Sequence, residues 1–315
     1  MKINIITDTH LLFVLTLLYN IIMNTVLNQP VEESFFADEK KIGPIVCSKG
    51  EFYSNGNLIL LQEKDLKLPV RLVQNVNKGS FGHVAAVMGE KPGAGIIAAT
   101  AAFAFGAGLV TLICKARPVC CPYELMDSPT PPAATTALAL GMGLGTPTQE
   151  LLSWTGTHTD IPCVLDADIL KYKKIEDLIL SLKNIVLTPH PREFATLLDL
   201  CNIGKFDVAY VVENRFELVR RFCKKYPHAV LVLKGANVLI AQGEKVYVNT
   251  FGTACLAKGG SGDVLSGLTA ALLAQKYSPL DAAISASLAH ALASQKVKCS
   301  YGMTPFELIE KVKLL

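Results

Sequence analysis

The 315-residue chain contains no Cys-x-x-Cys pair, no long Lys/Arg cluster interleaved with aromatics, no internal repeat and no low-complexity tract. Each absence excludes something. The nine cysteines (Cys47, Cys114, Cys120, Cys121, Cys163, Cys201, Cys223, Cys255 and Cys299) are scattered and odd in number, which argues against a zinc site or a disulfide framework. Several lie inside apolar runs, such as Leu112-Ile113-Cys114 and Pro162-Cys163-Val164, and read as buried, reduced thiols of a cytoplasmic protein. A net charge of +3 is too mild to imply a nucleic-acid partner, so small metabolites are the better expectation. The apolar stretch Leu11–Met23 is interrupted by Asn20, follows Asp8 and His10, and has only Lys2 as a basic flank. It falls short of the roughly 20 residues that a membrane-spanning helix needs, so no membrane partner is expected.

What is present is an apolar, glycine-punctuated chain. With 50% hydrophobic residues, it can bury a full α/β core as one large domain or as a domain with an appendage. Residues 31–77 read as a connector carrying Pro30, Pro44 and Pro69 nearby and a strand-like pair around Phe52 and Leu58–Leu61, separated by Asn55-Gly56-Asn57. From His83 onward strands and helices alternate. Strands are predicted at His83–Gly89, Leu109–Lys115, Leu138–Met142, Pro162–Asp166, Ile185–Thr188, Val230–Lys234, Val238–Ala241 and Lys245–Asn249. Helices are predicted at Gly95–Phe105, Thr148–Trp154, Ile175–Leu182, Pro191–Leu198, Asn214–Tyr226, Val264–Lys276, Leu280–Lys298 and Thr304–Lys313. Continuous apolar strands such as LVTLI and VLVL suit a parallel sheet buried on both faces, with ligands at the carboxyl ends of its strands.

Six constellations would gather on that rim. Lys258-Gly259-Gly260-Ser261-Gly262-Asp263, followed by an apolar helix, is the most informative. Its glycines let the backbone turn tightly, and the helix directs unpaired N–H groups and a positive dipole end at the turn, which suits a phosphate or developing oxyanion. Asp263 stands beside that anion hole, placed to accept a proton from an alcohol. In Leu187-Thr188-Pro189-His190-Pro191-Arg192-Glu193, the flanking prolines fix His190 at a strand end as a polar contact to a ligand; general-base duty is not expected, because no partner is evident nearby. Lys234-Gly235-Ala236-Asn237-Val238 reads either as a lysine reaching phosphate over a close-lying backbone or as a hairpin turn with a solvated lysine. Gly141-Met142-Gly143-Leu144-Gly145 is either a ligand contact or a packing feature. So is the pair formed by Lys78–His83 and Pro92-Gly93-Ala94-Gly95. In Asp166-Ala167-Asp168, Asp168 reads as a helix cap, and Asp166 is open between capping and holding Mg²⁺ through water.

Taken in order, KGSFGHV, the GAG pair, GMGLG, VLDAD, LTPHPREF, VLKGAN and AKGGSGDVLSG resemble the ADP-dependent NAD(P)H-hydrate dehydratases, over residues of about 70 to 315. The resemblance implies a ribokinase-like three-layer α/β/α sandwich with a mostly parallel central sheet. It implies dehydration of (S)-NAD(P)H-hydrate to NAD(P)H with release of AMP and phosphate; the alternative is a ribokinase-like small-molecule kinase. Ala94, Gly95, Gly143, His190 and Asp263 would contact the hydrated dinucleotide, with Asp263 catalytic. Lys234, Gly235, Ala236, Asn237, Val238 and Gly259, Gly260, Ser261, Gly262 would contact the adenine nucleotide. ADP is the implied co-substrate and Mg²⁺ the implied ion, with no protein metal ligand assigned, and the assembly would be a homo-oligomer, a tetramer in the family pattern. Residues 1–69 would be an extension, at most the tail of an upstream epimerase domain. Two departures stand out: Lys258 where the family often has Thr, and Cys255-Leu256-Ala257 in place of a commoner Met-Ala.

Overall fold

The computed structural model describes residues 58–315; the apolar stretch Leu11–Met23 and the expected strand around Phe52 lie outside the described residues. One ten-stranded sheet organises them: β1 (Leu58–Leu60), β2 (His83–Val87), β3 (Leu109–Ile113), β4 (Met126–Ser128), β5 (Ala137–Leu140), β6 (Cys163–Leu165), β7 (Ile185–Leu187), β8 (Val230–Leu233), β9 (Val238–Gln242) and β10 (Lys245–Asn249). The strands lie in the order β1-β10-β9-β8-β7-β6-β5-β2-β3-β4. All neighbours are parallel except β9, which is antiparallel to both β8 and β10.

The strand composition explains this arrangement. β2 and β5–β8 are buried at every residue, as parallel strands covered on both faces must be. Side chains alternate between the two faces. In β5, Ala137 and Ala139 join one core, and Leu138 and Leu140 the other. The first core is covered by α1 (Pro92–Ala104), α7 (Ser261–Ala274), α8 (Pro279–Gln295) and α9 (Pro305–Val312). The second is covered by α2 (Gln149–Thr157), α3 (Ile175–Ser181), α4 (Pro191–Leu200), α5 (Val208–Glu213) and α6 (Arg215–Lys225). Small residues let α1 and α7 pack closely: a Cβ added at Gly267 of α7 would lie 2.2 Å from the Ala98 carbonyl oxygen of α1. Prolines 92, 191, 279 and 305 all occupy the first turn of their helices, where no N–H is required.

The elements differ from expectation in places. Leu58–Leu60, expected as part of a strand-like pair, is a strand and pairs in parallel with β10. The short β4 and α5 were not foreseen, since three residues such as Met126-Asp127-Ser128 carry no apolar alternation. The helix expected from Val264 starts at Ser261, which brings Gly262 and Asp263 into its first turn. Among the described residues no helix is long and apolar enough to cross a membrane.

Candidate functional site

A cavity of about 750 Å³ opens at the carboxyl ends of β6, β7 and β8, against the start of α7. Its lining includes Asp166, His190, Lys234–Val238, Gly260–Asp263 and His290. The fold therefore gathers four of the six constellations on one wall.

The α7 start is built around Gly260, whose φ of 89° is left-handed and whose added Cβ would meet Pro305 Cγ at 2.4 Å. Only glycine fits there. The Ser261 N–H donates back to the Lys258 carbonyl (3.2 Å) and the Val264 N–H to the Gly260 carbonyl (3.1 Å). The amides of Gly262 and Asp263, at the second and third helical positions, have no acceptor among the described residues, and they form an anion-binding helix start. Ser261, expected to contact nucleotide, lines the cavity; its hydroxyl lies 3.1 Å from His290 Nε2, and its carbonyl 2.9 Å from the same nitrogen. Lys258 sends its ammonium to the Tyr301 carbonyl (3.0 Å), so the lysine ties the turn to the loop before α9.

Beneath the turn lies a buried ionic network. Lys234, at the end of β8, is not the solvated lysine of a simple hairpin, although Gly235-Ala236-Asn237 does turn the chain into β9, with Asn237 at φ 53°. Its ammonium donates to Asp166 Oδ1 (2.8 Å) and lies 3.8 Å from Glu193 Oε2. Asp166 Oδ2 accepts from the Ser266 hydroxyl (2.7 Å). Burial alone would lower the Lys234 pKa, but the Asp166 and Glu193 carboxylates outweigh it and hold the ammonium above its ordinary range. Half-buried Asp263 sits at the edge of this network. Burial first, then the Asp166 charge, push its pKa up to about 6, against the pull of Lys234. A carboxylate poised so near neutrality suits proton transfer.

His190 caps α4: its Nδ1 accepts from the Glu193 N–H (3.2 Å), Glu193 Oε2 accepts from the His190 N–H (2.9 Å), and Nε2 stands 3.1 Å from Glu193 Oε1. The expectation of no nearby partner is thus corrected, since Glu193 engages both ring nitrogens. With Nδ1 as acceptor, Nε2 carries the proton, and the ring is a donor held in one tautomer. The spacing His190-x-x-Glu193 is that of a capping box, and that signal was available in the sequence. Burial pushes Glu193 up, but the His190 bond and the Lys234 charge outweigh it and leave its pKa below the usual range.

Other predicted residues fall elsewhere. Ala94, Gly95, Gly143 and Gly259 are not among the residues lining the cavity. Gly143 (φ 58°) and Ala94 meet each other, since a Cβ on Gly143 would stand 3.0 Å from that of Ala94 and 2.7 Å from the Lys91 carbonyl oxygen. Asp168 does not cap a helix; its Oδ2 accepts from the Gly145 N–H (3.0 Å), which holds the GMGLG loop to the end of β6. His290 was missed. It is buried in α8, where burial pushes its pKa down to about 4 despite the backbone bond to Ser261. A histidine within an alanine-rich helix gives no local signal. Among the described residues no group of three or more His, Cys, Asp or Glu side chains is arranged to hold a metal ion.

Comparison with known proteins follows the same lines. A family model described as NAD(P)H-hydrate dehydratase matches residues 84–314. The bifunctional NAD(P)H-hydrate repair enzyme Nnr of Helicobacter pylori is 42% identical over 283 residues, covering 89% of this chain and 59% of that protein. The chain thus spans less than two thirds of that relative's length. The ADP-dependent (S)-NAD(P)H-hydrate dehydratase of Neisseria meningitidis is 35% identical over 251 residues, 73% of this chain and 82% of that protein. The fold is that of the ADP/ATP-dependent NAD(P)H-hydrate dehydratase of Bacillus subtilis co-crystallized with ATP/Mg²⁺, with a TM-score of 0.67 at 24% identity, over 80% of this chain and 95% of the other.

Proposed function

Because the chain belongs to the NAD(P)H-hydrate dehydratase family, we propose that it dehydrates (S)-NAD(P)H-hydrate at the expense of ADP, releasing AMP and phosphate. The observation that carries the reading is the sharing of one cavity by Asp263, the Gly262 amide, Lys234 and His190. The dehydratase unit is assigned to residues 70–315, with β1 completing its sheet.

The substrate presents a hydroxyl, a poor leaving group, on the ring carbon beside nitrogen. Asp263 takes the hydroxyl proton while the oxygen attacks the β-phosphorus of ADP, and the bond to the bridging oxygen breaks to release AMP. Charge on the migrating phosphoryl meets the Gly262 and Asp263 amides, the α7 dipole and the Lys234 ammonium, all fixed in place before reaction. The C–O bond then breaks with the push of the nitrogen lone pair. Phosphate leaves, and loss of a ring proton restores the dihydronicotinamide. His190 contacts the hydrate from the mouth of the cavity, and the Gly235–Val238 turn receives the nucleotide. Ala94, Gly95 and Gly143 are kept as dinucleotide contacts beyond the cavity, and Gly259 as a phosphate contact: a Cβ added there meets nothing within 4 Å. Mg²⁺ would be carried by the nucleotide phosphates, as no group of three or more His, Cys, Asp or Glu side chains among the described residues is arranged to hold it, and no step depends on it. A cytoplasmic setting is supported by the eight unpaired cysteines of the described residues. Assembly into a homo-oligomer is supported by exposed apolar side chains such as Leu72 and Tyr123.

The test incubates the protein with chemically hydrated NADH and ADP or ATP, following recovery of the reduced cofactor's absorbance and of AMP and phosphate. A phosphorylated alcohol accumulating without absorbance recovery would replace this reading with a kinase. His190→Ala should weaken hydrate binding and leave ADP binding intact.

A further inference from the structure

We propose that Asp166 is a positioning residue for the reacting centre: it holds the Lys234 ammonium against the Gly262 backbone and, through Ser266, locks the first turns of α7 to the end of β6. The inference rests on the reading above for its substrate, but its geometry stands apart. Asp166 is 1% exposed, a state a carboxylate occupies only when paired. Its two oxygens are divided between elements: Oδ1 takes Lys234 from β8 at 2.8 Å, and Oδ2 takes Ser266 from α7 at 2.7 Å. Ser266 follows Asp263 by three residues and so shares its helix face. One carboxylate thus fixes both the cation and the base.

The reach of Lys234 shows what is being fixed. A Cβ built on Gly262 would lie 3.3 Å from Lys234 Nζ and 3.9 Å from Asp166 Oδ2. The ammonium is therefore packed against the backbone whose amide forms the anion hole. Lys234 could not keep its charge there alone, since burial opposes it, and Asp166 is the nearest of the counter-charges. The charged groups acting on Asp263 are Asp166 from β6, Lys234 from β8 and Glu193 from α4. His190 at the start of α4 and His290 from α8 line the same cavity.

Asp166→Asn keeps the shape and removes the charge. Lys234 remains charged between Glu193 and Asp263, so its attraction for Asp263 is less opposed. The Asp263 carboxyl titration, followed by carbon-detected NMR and assigned by its loss in Asp263→Asn, should move down by of order one pH unit. Lys234→Met should move the same titration up. In turnover, Asp166→Asn should raise KM for ADP of order tenfold, the loss expected for one charge-assisted hydrogen bond, and carry the acidic limb of the rate profile to lower pH. A residue serving stability alone would leave KM for ADP unchanged in the folded variant, and an unchanged KM, or an unmoved or upward titration, in Asp166→Asn overturns the proposal. Should Asp166→Asn fail to fold, an unmoved or downward titration in Lys234→Met overturns it. If wild-type protein shows no dehydration but the titrations shift as stated, the positioning role stands and the substrate reading falls.

Discussion

Replacing Asp263 by Asn should make the protein more stable while disabling it. The folded-state pKa of Asp263 is raised from the ordinary 3.8 to about 6. An acid whose pKa is raised on folding favours the native state only while protonated, so its contribution is complete below the unfolded pKa and is lost as pH rises through about 6. The difference amounts to about 2–3 kcal/mol at pH 8, the lower figure allowing for solvent at a half-buried side chain. Asn is neutral at every pH and nearly isosteric. Asp263→Asn should therefore match wild type near pH 4 and exceed it by about 2–3 kcal/mol at pH 8, or roughly 5 °C in Tm. Urea unfolding at half-unit steps from pH 4 to 8 measures this directly. The same variant should lose about 10²–10⁴-fold in turnover, and wild-type activity should fall as pH drops below about 6, where the base is protonated. A variant that is equally or less stable than wild type at pH 8 would show that Asp263 is not held against its charge, and the assignment of it as base would lose its physical support.

Gly260→Ala places a Cβ 2.4 Å from Pro305 in a left-handed residue and should cost about 1–3 kcal/mol, whereas Gly259→Ala, open on all sides, should stay within about 0.5 kcal/mol; thermal unfolding of the pair separates them. Gly262→Ala should hardly change Tm, because a lysine tip can yield, yet it should raise KM for ADP, read by initial rates. His290, with its pKa held near 4, must stay neutral in the folded state, so stability is full above its unfolded value and falls as pH drops from about 6.5 toward 4. His290→Gln should flatten that acid loss in urea titrations at pH 4 and 7, at a cost of about 1–2 kcal/mol at pH 7 from the altered bond to Ser261.

Local chemistry determined much of this protein. Apolar runs gave the parallel strands, prolines in first turns gave the helix starts, and the glycines around Ser261 gave the anion-binding turn, because each depends on backbone sterics or on periodicity within a few residues. The His190–Glu193 box was equally local. Tertiary structure alone decided the pairing of Leu58–Leu60 with β10 and the union of Asp166, Lys234 and Ser266, which are spread over 100 residues of sequence between Asp166 and Ser266. It also decided that the Ser261 hydroxyl lies beside His290. A buried ion pair is selected by which strand ends adjoin and by how little water reaches them, and neither quantity exists until the sheet has closed.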